Sequence, residues 1–244
     1  MAFGNGYAQD ALFSTGKKLI GFDIETEEID SFRDFDHTGI TCAAARASDG
    51  EPMTWHGGKA AGTFTDRMSE EEAVAMVDYL SEKQEAGYQI ATWNGLAFDF
   101  PILYAVSGRD PRCKALARDH VDMMFHFFCI KGFAISLAKA LEGMGLSGKT
   151  EGFDGALAPK MWREGRYEEV LDYVAEDARA TLDMAEAGNR ERAVRWVSRR
   201  GKLRSCELKQ GWKTVAEALR EPEPDVSWMD DPWPRSRFTG WLDR

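Results

Sequence analysis

Four carboxylates and one tyrosine stand out for what their types and spacing can do. Asp23 and Glu25 sit two apart in residues 18–25, KLIGFDIE, an apolar run that reads as a strand. Alternation puts both carboxylates on one face and sends Phe22 and Ile24 into a core on the other. Neighbouring carboxylates repel, and burial penalises their charged forms. A hard divalent cation such as Mg2+ or Mn2+ relieves both costs, because it prefers oxygen ligands. Asp99 lies in residues 93–101, WNGLAFDFP, where an apolar strand meets an Asn-Gly turn and Pro101 suits the first turn of a helix. Tyr173 and Asp177 are one turn apart on a helix whose buried stripe is Leu171, Val174, Ala178 and Leu182. No Lys or Arg four residues from Asp177 offers it a partner. Singly, each residue also suits a plain role: a solvated strand end for the Asp23/Glu25 pair, a helix cap for Asp99, a wet helix flank for Asp177, and core packing for Tyr173.

The elements that must position these groups follow from periodicity. Residues 40–47 and 52–55 read as the next strands. A helix starts at Ser69, with Glu72 completing a capping box and Ala73, Met76, Val77 and Leu80 forming its stripe. Gly87 ends it, and residues 88–93 return as a strand. Helices are predicted over 101–106, 135–141 and 167–187, and a loop over 147–160. Residues 193–208 read as a hairpin around Arg200-Gly201-Lys202, residues 214–220 as a short helix, and the Pro- and Trp-rich remainder as a tail extended against the main body. The order implies an α/β protein, a mixed sheet flanked by helices. The division is a domain over 1–187 and an extension over 188–244 packed on it.

Composition narrows the classes. A chain of 244 residues that is 43% apolar builds one sizeable core. The four cysteines form no CxxC pair and the four histidines are scattered, which argues for reduced thiols and against a zinc cluster. No apolar segment opens the chain, and the longest apolar run, residues 123–130, is too short to span a bilayer. A soluble, cytoplasmic protein is expected. The net charge of −10 argues against coating long nucleic acid, yet residues 190–213 hold nine Lys/Arg against two Glu, a local +7.

In order, the three segments resemble the DnaQ-like, or DEDD, exonuclease superfamily. Asp23-Ile24-Glu25 is similar to its first motif, Asn94 with Asp99 to its second, and Tyr173 with Asp177 to the third motif of its tyrosine branch. FDIET, TWNGLAFDFPIL, HVDMM and SLAKALEGMGLSGK look like stand-alone relatives of the family B DNA polymerase proofreading domain. The match runs over residues 18–187. The resemblance implies an RNase H-like fold and a two-metal 3′→5′ exonuclease. Asp23, Glu25, Asp99 and Asp177 would hold two Mg2+ or Mn2+ ions, and Tyr173 would orient the attacking water. Single-stranded 3′ ends, DNA in preference to RNA, would be the substrate and nucleoside 5′-monophosphates the product. No membrane and no nucleotide cofactor is expected. Candidate substrate contacts are Thr26, Asn94, Phe98 as a base-stacking ring, Lys149, and Arg199, Arg200, Lys202 and Arg204 along a backbone. Asp122 is expected to make structural hydrogen bonds. The rivals are an RNase H-like endonuclease, an inactive binding module, and a phosphate-loop NTPase suggested by residues 143–150, GMGLSGKT. DxE disfavours the first, the complete quartet the second, and a preceding helix in place of a strand the third.

Overall fold

Strand β1 (Leu19–Thr26) organises the molecule, because it is buried along both faces. The structure is a computed structural model and describes residues 17–29, 35–58, 62–147 and 155–243. β2 (Ile40–Ala47) runs antiparallel to β1 and β3 (Pro52–His56) antiparallel to β2. β4 (Gln89–Thr92) and β5 (Val121–Asp122) join in parallel on the other side. The resulting order, β3-β2-β1-β4-β5, is a mixed five-stranded sheet.

Ile20, Phe22 and Ile24 point to the larger core. They meet α1 (Glu70–Glu85), α2 (Asp99–Val106), α3 (Arg112–Asp119) and part of α4 (Met123–Lys131). Each such side chain taken from water contributes roughly 1.5–3 kcal/mol. The opposite face is covered by α7 (Tyr167–Glu191), with α5 (Leu137–Met144) and α6 (Ala158–Arg163) beside it. α7 approaches β1 unusually closely. A methyl on Gly21 would stand 2.1 Å from the Ala178 carbonyl oxygen and 2.8 Å from the Leu182 nitrogen. Only a residue without Cβ lets the helix lie so near the strand.

α1 forms with the expected reciprocal cap between Ser69 and Glu72. Elsewhere the structure departs from expectation. α3 and α4 were not predicted: seven of the nine residues of α4 are buried, so it has no polar side to reveal a period. Of the expected loop over 147–160, residues 148–154 lie outside the described residues, and a 3-10 turn at Gly155–Leu157 and then α6 follow them. There Pro159 fits the first helical turn and Trp162 is buried beneath α7. Asp99 is not a cap. Phe98 holds that position without a side-chain bond, and Asp99 is the first helical residue.

The C-terminal segment threads back over the body. β6 (Ala193–Val197) and β7 (Leu203–Glu207) form the expected hairpin, followed by α8 (Val215–Ala218). The hairpin seats on α5 at Gly143, where a Cβ would come within 2.4 Å of the Trp196 backbone. The tail is not simply extended: it contains α9 (Ser236–Thr239), and Phe238 and Leu242 enter the larger core. Arg235 fastens it by donating to the carbonyls of Cys129, Leu219, Glu221 and Pro222 at 2.9–3.3 Å. Cys42, Cys113, Cys129 and Cys206 are free thiols, all buried. Among the described residues no helix is long and apolar enough to cross a membrane.

Candidate active site

Asp23 and Glu25 share the face of β1 that carries Gly21, so the contact at Gly21 brings α7 over them. One carboxylate oxygen from each of Asp23, Glu25 and Asp177 lies within 4.8 Å of the others. Asp177 adjoins Ala178, whose carbonyl sits over Gly21, so the tight packing and the acidic cluster are one feature. Across from the pair, β2 presents Cys42 opposite Glu25 and Ala44 opposite Asp23. These small side chains leave α7 room, and Cys42, Ala44, Val174 and Ala178 pack together. Tyr173, one turn before Asp177 on α7, is also buried, at 3% exposure.

Asp99, the fourth expected carboxylate, is outside the group that meets within 4.8 Å and reaches β1 from the end of β4. It begins α2 where β4 has ended, 2% exposed. Burial, reinforced by the nearby Asp122 carboxylate, lifts its pKa to about 8, although its own N–H and that of Ile24 favour the charged form. The Ile24 contact places Asp99 against the backbone of β1 at the residue that separates Asp23 from Glu25 in sequence. Its Oδ1 is buried with no hydrogen-bond partner among the described residues. A buried acceptor left unsatisfied is costly unless something else supplies the contact.

The turn that delivers Asp99 is held from below. Asp122 accepts from the N–H groups of Asn94 (3.1 Å), Leu96 (2.9 Å) and Phe125 (2.9 Å), capping α4 and shaping the turn at once. Its expected structural role is thus what the structure shows. Burial still raises its pKa to about 6. Asn94 adopts φ 74, a left-handed conformation that asparagine tolerates. His120 Nδ1 is 2.8 Å from the Ala117 carbonyl and so carries the proton. Its Nε2 therefore accepts from Thr92 Oγ1 at 3.0 Å, which in turn accepts from Gly95 N–H at 3.1 Å. Burial depresses the His120 pKa to about 3, keeping the ring neutral. Sequence reasoning missed His120, whose signal is only its place two residues before Asp122.

The remaining candidates fall apart from the cluster or outside the described residues. Thr26 is buried beside a register shift in β1, with its hydroxyl donated to the Glu27 carbonyl. Of the three aromatics around Asp99, Phe100 is fully buried and Tyr104 packs on Trp241, while Phe98 remains half-exposed. Lys149 lies outside the described residues. Residues 143–147 do not follow a strand: α5 ends at Met144 and Gly145 closes it in the left-handed region. In the basic segment, Arg190 and Arg195 pair with Glu191, and Lys213 with Glu221. Among the described residues no ion pair engages Arg199, Arg200, Lys202 or Arg204.

The donor set is three clustered carboxylates with a fourth alongside, and contains no His or Cys. Hard oxygen donors of this kind fit a divalent cation of the Mg2+ or Mn2+ class. The solved family B DNA polymerase of the hyperthermophilic archaeon Pyrobaculum calidifontis shares this fold, with a TM-score of 0.51 and 21% sequence identity. The similarity covers 71% of this chain but 24% of that one. No curated protein matches the sequence. The RNase_H superfamily pattern matches residues 20–189, which cover all but the first residue of β1, the whole of β2 to β5, all but the last two residues of α7, and all four carboxylates. On that match, with the mixed sheet and helices that accompany it, the chain belongs to the RNase_H superfamily.

Proposed function

We propose that the protein is a metal-dependent 3′→5′ exonuclease that shortens single-stranded nucleic acid, DNA in preference to RNA, and releases nucleoside 5′-monophosphates. The observation that carries this reading is the meeting of Asp23, Glu25 and Asp177 within 4.8 Å, from two elements packed backbone to backbone. Membership of the superfamily supports nuclease chemistry, and the order of the Asp23/Glu25, Asn94/Asp99 and Tyr173/Asp177 segments supports the exonuclease assignment in its tyrosine branch. Asp23, Glu25, Asp99 and Asp177 would hold the divalent cations. When bound, these supply Lewis-acid activation of water and neutralise charge on the phosphate.

The chain's own groups do the positioning. Tyr173, one turn from Asp177, has a hydroxyl that donates and accepts, so it can hold a water's orientation without deprotonating it at neutral pH. Asn94 and Phe98, on the turn leading to Asp99, line the cleft beside that turn. The test is incubation of 5′-labelled single-stranded DNA and RNA with the protein, with and without Mn2+ or Mg2+. A ladder shortening from the 3′ end only with metal is expected. Internal cuts alone would favour an endonuclease.

Two outcomes belong with this reading. Tyr173→Phe keeps the ring and removes the hydroxyl. It should lower kcat by about 10²-fold, within the range for a positioned proton-handling group, and leave the metal concentration for half-maximal activity unchanged. Wild-type rates at saturating metal would reduce Tyr173 to packing. Neutralising Arg199, Arg200, Lys202 and Arg204 together should raise KM for oligonucleotides with kcat largely intact. It should also flatten the salt dependence by about 0.7 for each phosphate that is no longer neutralised. An unchanged salt slope would make the hairpin tip a solvated cover for α5.

A further inference from the structure

A cleft of about 760 Å³ opens beside the turn that leads into Asp99, with one wall formed by the C-terminal segment. That volume is typical of a pocket for an organic ligand. Asn94 and Phe98 from the turn, Phe35, and Trp233, Arg237 and Trp241 from the C-terminal segment line it. Phe35 and Phe98 touch edge to face, 5.8 Å between centroids, so the segment after β1 and the turn after β4 meet here. The cleft therefore borders the C-terminal ends of the parallel strands, where open α/β sheets bind ligands.

The wall is built to be rigid. Trp241 donates its indole N–H to the Leu96 carbonyl at 2.7 Å, and Arg235 holds the backbone between Trp233 and α9 through four carbonyls. Trp233 is nevertheless 42% exposed. The Arg237 guanidinium lies over its ring, 3.8 Å from the centroid, and among the described residues no ion pair engages Arg237. An exposed indole carrying an uncompensated cation, in a chain of net charge −10, is matched to a planar ring with a phosphate attached. We propose that this cleft binds an unstacked base of the single strand close to its 3′ end, with Trp233 and Phe98 as stacking faces and Arg237 on an adjoining phosphate. The proposal rests on the nuclease reading and adds a substrate contact from outside the 20–189 region that defines the superfamily match.

The experiment uses the full chain with EDTA present, so that no strand is consumed. Single-stranded decanucleotides carry the fluorescent base 2-aminopurine at successive positions from the 3′ end. The intact protein should quench one position near that end. Trp233→Ala should abolish that quench and raise Kd about 5- to 140-fold, the span that removal of a single base–aromatic stack implies. Trp233→Phe should retain most of both. Arg237→Gln should lower the salt slope of binding by about 0.7. Binding by the intact protein that neither variant alters overturns the cleft assignment and spares the nuclease reading. A change of oligomeric mass in those same variants would reassign the surface to a second copy of the chain. Should Trp233→Ala lose its near-ultraviolet circular dichroism, Trp233→Phe and Arg237→Gln decide by the same criteria. Hydrolysis of bis(p-nitrophenyl) phosphate separates the two ideas. Metal-dependent turnover of it with no oligonucleotide binding sinks the cleft alone. Trp233-dependent binding with no hydrolysis of any phosphodiester sinks the nuclease reading alone.

Discussion

Asp177→Ala should cut exonuclease turnover by ~10²–10³ or more, the loss seen when one electrostatic stabiliser is removed from an enclosed site. The metal-free chain should still fold, because the apolar contacts of α7 around Val174 and Ala178 are untouched. What should disappear is the stabilisation by added Mn2+. A cation at a hundred times its dissociation constant contributes about 2.7 kcal/mol, or roughly 5–10 °C for a chain of this size. Equal digestion by wild type and variant would trace the activity to a contaminant or to other residues. An unchanged Mn2+ response would remove Asp177 from the metal site even if activity fell.

Gly21→Ala should harm both stability and activity, although Gly21 bears no functional group. The added methyl would lie 2.1 Å from the Ala178 carbonyl oxygen, a backbone atom that cannot swing aside. α7 must therefore lift from β1. Overpacking of this kind costs about 1–3 kcal/mol, which corresponds to a melting temperature lower by roughly 2–12 °C. Lifting α7 also draws Asp177 away from Asp23 and Glu25. A displacement of ~1 Å at a reacting centre lowers rate by about 10²-fold. Gly50→Ala is the control: a methyl there meets nothing nearer than 3.6 Å, and both properties should stay at wild-type values. Wild-type melting of Gly21→Ala would show that the helix has slack, and the account of how the cluster is positioned would fail.

What the sequence made legible was whatever repeats locally. The alternation of β1 told which face Asp23 and Glu25 occupy, and Ser69 with Glu72 announced the start of α1 through a bond made inside one turn. The stripe of α7 placed Asp177 at the edge of a buried face. Where burial is complete, the signal vanishes. α4 shows only an apolar run, and β5, two residues long, is too short to have a period. The proline and glycines around residues 147–160 suggested a loop because they are read one at a time. Pro159 instead opens α6, which is held by contacts with α7 further along the chain. The cluster itself was foreseeable as a set of residues but not as a geometry. Its closeness depends on Gly21, whose role appears only once α7 lies across it. Asp99 looked like a cap because its neighbours are local, whereas its important contact, Ile24, lies on β1, far away in sequence.

The bond from the Trp241 indole to the Leu96 carbonyl spans 145 residues of sequence. During synthesis, β1, the turn at Asn94 and α7 all leave the ribosome well before residue 241 is made. The carboxylates can therefore meet while the turn beside them still lacks its outer wall. Closing so long a loop is also among the entropically slower steps of folding. A nascent chain arrested between residues 191 and 233 would consequently hold the acidic residues of the site and none of Trp233, Arg237 and Trp241. The order of translation separates assembly of the chemistry from completion of the surface beside it.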